Sequence, residues 1–143
     1  MSETLIAADK IRAYRATDYR LGHTAQDIVL APGLRSDRLF ELFSANGVEC
    51  GAFLTAYNPR GNQKSVTENE QAHSLLAAAL AERCLGSIEG SGSEPGSDWS
   101  AEKSYFAFGL SRDEAIAFGR KFDQDAIVWV GKNAVPELVL VAV

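Results

Sequence analysis

The order of hydrophobic runs and turn signals predicts an α+β fold. It is a ferredoxin-like split βαβ antiparallel sheet over residues 49–131, with an N-terminal helix-strand-strand-helix extension over 1–48 and a C-terminal strand over 132–143. Three observations predict it. Cys50 to Tyr57 is a run of small and apolar residues, as expected of a strand covered on both faces. Capping signals then open two helices at 65–70 and 111–114. Each of those helices is followed by residues that read as strands, so the elements run strand, helix, strand, strand, helix, strand. No linker or repeat divides the chain, and one domain over 1–143 is expected.

In chain order, Leu5 to Tyr14 reads as a first helix, with Leu5, Ala8 and Ile11 at helical spacing. Tyr14 to Arg20, YRATDYR, interleaves aromatics with arginines. That pattern suits a phosphate or base contact, and more commonly a strand edge with snorkelling arginine stems. Tyr19 to Gly22 and Asp27 to Ala31 read as short strands around a turn that holds His23. Ser36 can cap a helix running through Leu39, Leu42 and Phe43 to the stop at Asn46-Gly47.

Asn58-Pro59 ends the first core strand, because proline lacks an amide hydrogen and restricts the residue before it. The long helix can open with a capping box of Ser65 and Glu68 or of Thr67 and Glu70. Ala72, Leu75, Leu76, Ala79 and Leu80 share its face, and Gly86 is a plausible stop. By the same spacing His73 lies off the Leu75/Leu76 face, towards solvent. A strand follows near Ser87 to Gly90. Gly90 to Ala101, GSGSEPGSDWSA, reads as a soft hairpin loop or, given Trp99, as a lid over a ligand. Glu102 to Leu110 returns as a strand. Ser111 and Glu114 cap the last helix, where Gly119 suggests close packing on the sheet. Asp125 to Gly131 and Glu137 to Val143 complete the set.

Composition narrows the function. A net charge of −5 argues against a dedicated nucleic-acid binder, which needs clustered Lys and Arg. MSETLIAADK and the C-terminal VLVAV hold no apolar run long enough for a signal or a span, so no membrane partner and a cytoplasmic address are expected. Cys50 and Cys84 are expected to be reduced and at least half-buried. Two separated histidines and two separated cysteines make a metal site improbable, and no motif points to a cofactor.

The segments TAYNP at Thr55 to Pro59, TENE at Thr67 to Glu70, WSAE at Trp99 to Glu102 and KFDQDAIVWVG at Lys121 to Gly131 form an ordered set. In that set the chain resembles the bacterial family called domain of unknown function 3293, over roughly Lys10 to Gly131. It departs from the family at Asp123, where the family carries glycine. The resemblance implies a small stand-alone bacterial protein and no particular activity.

Strand direction supplies a candidate site. In the expected topology the first two core strands end, and the last two begin, at the same end of the sheet. Asn58, Arg60, Glu68, Asn69, Trp99, Glu102 and Gln124 should share that end. Three functions fit it. The first is small-molecule binding, an anion on the free amides before the long helix being one form of it, with Asn58, Arg60, Glu68, Asn69, Trp99 and Gln124 as contacts. The second is an enzyme with Glu102 as general base. The third is an interaction or structural role, with a homodimer through the C-terminal strand or a hydrogen-bond network that only ties loops together.

Overall fold

The computed structural model describes residues 8–22, 27–83, 86–96 and 100–141. Among these residues are four α-helices, α1 (Ala8–Ala16), α2 (Asp37–Asn46), α3 (Val66–Ala81) and α4 (Arg112–Lys121), and a 3-10 turn at Pro59–Gly61. The strands are β1 (Asp18–Leu21), β2 (Ile28–Leu30), β3 (Gly51–Thr55), β4 (Ser87–Ser93), β5 (Glu102–Phe108), β6 (Ala126–Val130) and β7 (Pro136–Leu140). All seven join one sheet in the order β2-β1-β4-β5-β3-β6-β7, and every neighbouring pair is antiparallel.

Alternation along the strands splits the apolar residues between two faces. Ala52, Leu54, Ala107 and Ile127 point to one face and pack against Leu76 and Leu80 of α3 and Ala115 and Phe118 of α4. Phe53, Phe106, Phe108, Val128 and Val130 point to the other and pack against Leu39 and Phe43 of α2, with Tyr19, Leu21 and Leu30. The N-terminal extension therefore does more than lengthen the sheet. It covers the face that α3 and α4 leave bare. The sheet curls around α2: Gly33 N donates to Pro136 O at 2.8 Å and Ser36 N to Ala134 O at 2.9 Å, which links the loop after β2 to the start of β7 and the turn before it.

Local chemistry sets the helix ends. Ser36 Oγ accepts from Leu39 N, and Gly47, at φ 66°, closes α2 in the left-handed conformation that glycine tolerates. For α3 the structure selects the Ser65 register, in which Ser65 Oγ accepts from Glu68 N and Glu68 reaches back to Ser65 N. Ser111 and Glu114 form the matching box on α4. A Cβ on Gly119 would lie 2.8 Å from Ile127 Cγ2, so the close helix–sheet approach needs glycine there. Helix α3 ends at Ala81, five residues before the expected stop at Gly86.

Three readings need correction. Leu75, expected on the inner face of α3, is 65% exposed, and the buried stripe is Asn69, His73, Leu76 and Leu80. His73 is 5% exposed rather than solvent-facing. Its ring stacks on Tyr105 at 4.4 Å, and its Nε2 lies 2.9 Å from Glu89 Oε2. Gly90 to Ser93 is strand rather than loop. It pairs with β1 on one side, and Gly90 to Gly92 also pair with β5 on the other. Two flanking strands override the poor strand propensity of glycine and serine. A Cβ on Gly90 would stand 2.0 Å from Arg20 O, so β1 can approach only glycine. Helix α1 runs on to Ala16, and β1 begins at Asp18. His23, Cys84 and Trp99 lie outside the described residues.

Candidate functional site

The end of the sheet where β3 and β4 finish and β5 and β6 begin carries a layered polar cluster. Asn58 follows β3 in the left-handed region at φ 45°, a conformation that asparagine adopts more readily than most residues. Asn58 is 7% exposed, and its side chain makes three bonds. Its Oδ1 accepts from Lys64 N at 3.0 Å and from Asn69 Nδ2 at 2.9 Å, and its Nδ2 donates to Glu102 Oε2 at 2.8 Å. Asn69 Oδ1 returns a bond by accepting from Asn58 N at 2.9 Å. The two asparagines fix the loop between β3 and α3 and hold the Glu102 carboxylate at the start of β5.

A second layer ties this loop to β6. Gln124 Nε2 donates to the carbonyls of Tyr57 and Phe122, each at 3.2 Å. Arg60 N donates to Asp123 O at 2.8 Å. Arg60 and Asp123 both have positive φ, 57° and 54°. Asp123 thus occupies a backbone position where glycine would be free of strain.

Helix α1 closes the cluster from above. Asp125 is 6% exposed and accepts from Tyr14 Oη at 2.8 Å and from Lys10 Nζ at 3.3 Å. Lys10 Nζ also donates to Arg60 O at 2.9 Å. Tyr19 Oη donates to Tyr14 O at 2.6 Å. Helix α1 has no buried residue of its own, so these polar bonds carry most of its attachment. Burial, and then the bond to Asp125, pushes the Tyr14 hydroxyl pKa well above its ordinary value; burial does the same for Tyr19.

Between α1 and the sheet lies a cavity of about 330 Å³. Lys10, Ala13, Tyr14 and Thr17 line it from α1 and its end, at the i, i+3, i+4, i+7 spacing of one helical face. Phe53, Val128 and Leu138 give it apolar walls, and Glu102, Ser104 and Gln124 polar ones. The room comes from β4, which places Gly92 where its neighbours in the sheet carry larger side chains.

The expected site residues divide on this geometry. Asn58, Glu102 and Gln124 line the cavity, and Asn69 stands behind Asn58. Arg60 and Glu68 are exposed and do not line it. Glu68 is engaged with Ser65, and that backbone bond holds its carboxyl pKa below the ordinary range. The amides at the start of α3 are likewise taken: Glu68 N by Ser65 Oγ, and Lys64 N by Asn58 Oδ1. Trp99 lies outside the described residues. Sequence reasoning placed the segment 123–125, with Asp125, at this end but missed Lys10 and Thr17. Its one pointer was YRATDYR, which supplies Tyr14, Thr17 and Tyr19 but no arginine to the cavity lining.

A separate group lies on the opposite face. Tyr57 donates its hydroxyl to Glu70, Lys103 Nζ lies 3.0 Å from Glu70, and His73 sits between Tyr57 and Tyr105. Among the described residues no set of His, Cys, Asp and Glu is arranged to hold a metal ion, and no helix is long and apolar enough to cross a membrane.

The family model described as Protein of unknown function (DUF3293) matches residues 54–127, more than half of the 143 residues. The chain belongs to that family. No curated protein and no solved structure matches it. The DUF3293 segment contains Asn58, Asn69, Glu102, Gln124 and Asp125, while the α1 and β1 side of the cavity lies outside it.

Proposed function

We propose that this chain is a small-molecule binding domain whose ligand occupies the cavity between α1 and the curled sheet. The observation that carries the reading is that cavity: about 330 Å³, apolar on its walls, with Glu102 and Gln124 on one side and Tyr14 and Lys10 on the other. Small-molecule sites combine an apolar lining with a few placed polar groups in this way. An anion at the start of α3 has less support, because the capping box and Asn58 occupy amides there. The strand order β4-β5-β3-β6, with α3 and α4 on one face, supports a ferredoxin-like reading of residues 49–131.

Catalysis is the second reading, and one observation favours it. Glu102 lines the cavity and is oriented by Asn58, as a general base would be. Dimerisation through β7 has less support. That strand is an edge, but Val139 is buried and the Pro136 carbonyl is already bonded to Gly33 N.

A metabolite screen by melting temperature tests the binding reading. A ligand at about one hundred times its Kd adds about 2.7 kcal/mol, enough to raise Tm by several degrees. The hit should be lost in Ala13→Phe, which fills the cavity from α1, and weakened in Glu102→Gln, with both variants still folded by circular dichroism. A hit that Ala13→Phe retains would place the ligand elsewhere. No hit across a broad panel would also overturn the reading.

A further inference from the structure

We infer that the ligand carries a cationic, donor-rich head group, a primary ammonium or guanidinium, on an apolar body. This rests on the binding reading above and deepens it. The cavity is rich in acceptors. Of the hydroxyls that line it, five have their proton directed to a protein oxygen. Tyr14 donates to Asp125 at 2.8 Å, Thr17 to Ala13 O at 2.7 Å, and Tyr19 to Tyr14 O at 2.6 Å. Thr55 donates to Lys103 O at 2.7 Å and Ser104 to Glu102 O at 3.0 Å. A hydroxyl whose proton is committed offers a ligand only lone pairs.

Gln124 points the same way. It lines the cavity and is 8% exposed. Two backbone carbonyls face its Nε2, which fixes the amide orientation, and among the described residues no side-chain or backbone donor reaches Oε1. An acceptor that no protein donor occupies is open to a donor from the ligand.

Charge agrees with polarity. Among the described residues the lining contains Glu94 and Glu102 and one cation, Lys10. Lys10 is itself paired with Asp125 and bonded to Arg60 O. An incoming carboxylate or phosphate would meet two acids and a cation already engaged. An ammonium would meet carboxylate, amide oxygen and hydroxyl lone pairs, with the rings of Tyr14, Tyr19 and Phe53 alongside to favour a cation. The apolar body would rest on Phe53, Val128 and Leu138.

The test uses three molecules of one shape, benzylamine, benzyl alcohol and benzoate, titrated at neutral pH into the full chain and followed by amide chemical shifts in NMR. Benzylamine should bind at least tenfold more tightly than either analogue, with shifts in α1 and at the start of β5. Glu102→Gln should erase most of that preference by weakening benzylamine far more than benzyl alcohol. Benzoate binding as tightly as benzylamine, or a preference that survives Glu102→Gln, would overturn the cationic assignment and leave the cavity standing as a site. If all three bind in Ala13→Phe as in the parent, or none perturbs the cavity, the binding reading falls with it.

Discussion

Asn58 and Glu102, 44 residues apart in the chain, meet at 2.8 Å through Asn58 Nδ2 and Glu102 Oε2. The bond joins the end of β3 to the start of β5, and the same asparagine joins β3 to α3 through Asn69. One buried side chain therefore sets three elements around the cavity.

Truncating that side chain should be costly. Asn58→Ala leaves Lys64 N, Asn69 Nδ2 and the Glu102 carboxylate short of a partner. It also puts alanine at φ 45°, where asparagine is better tolerated. A loss of about 2–4 kcal/mol in urea unfolding is expected. Asn58→Gly, which removes only the backbone strain of alanine, should recover a fraction of it. A loss under about 0.5 kcal/mol for Asn58→Ala would show that the network does not hold the loop.

Asp125 acts as the latch of α1. Asp125→Asn weakens the bonds from Tyr14 and Lys10, while the rest of α1 buries no side chain that would replace them. Amide hydrogen exchange over residues 8–16 should quicken while α3 keeps its protection. Tyr14→Phe should reproduce part of the effect at a cost of about 1–2 kcal/mol. Unchanged exchange in α1 would mean that packing alone holds the helix.

Stability should fall at both ends of the pH range. Glu68, Glu70 and Glu114 sit below the ordinary carboxylate value of 4.5, held there first by the Ser65 amide, the Tyr57 hydroxyl and the Ser111 amide respectively. Their contribution is present above 4.5 and is lost as pH falls through the lower folded values, because the unfolded chain then binds more protons. Tyr14, Tyr19 and Tyr57 are shifted the other way by burial, above the ordinary 10.0. Their contribution is present below pH 10.0 and is lost as pH rises towards the folded values. Urea midpoints should form a plateau between about pH 5 and 10 with a drop on either side. Tyr14→Phe with Tyr19→Phe should flatten the alkaline drop, and Glu68→Gln with Glu114→Gln the acid one. Unaltered slopes in those variants would assign the pH dependence to other groups.

Much of the fold was legible because its signals are local. Ser111 with Glu114, Asn46-Gly47 and the AIVWV run each specify an element from a few neighbouring residues, and the structure contains each of them. The Ser65 and Thr67 registers were equivalent in sequence, and the structure uses Ser65. Strand direction then follows from counting elements, and it places Asn58 and Glu102 at one end without any knowledge of their contact.

What the sequence could not decide depends on partners that arrive from far along the chain. Gly90 to Ser93 becomes a strand because β1 lies along all of it and β5 along Gly90 to Gly92, and β1 can lie there only because Gly90 has no side chain. His73 is buried because it shares the inner stripe of α3 with Asn69, Leu76 and Leu80, where Tyr105 and Glu89 receive it; reading Leu75 as inward shifted that stripe and hid it. Helix α1 owes its place over the cavity to Asp125, 111 residues beyond Tyr14. Local pattern determined the elements and their directions. Tertiary packing decided which face each element covers and where space remains, because burial and long-range hydrogen bonds depend on atoms that only folding brings together.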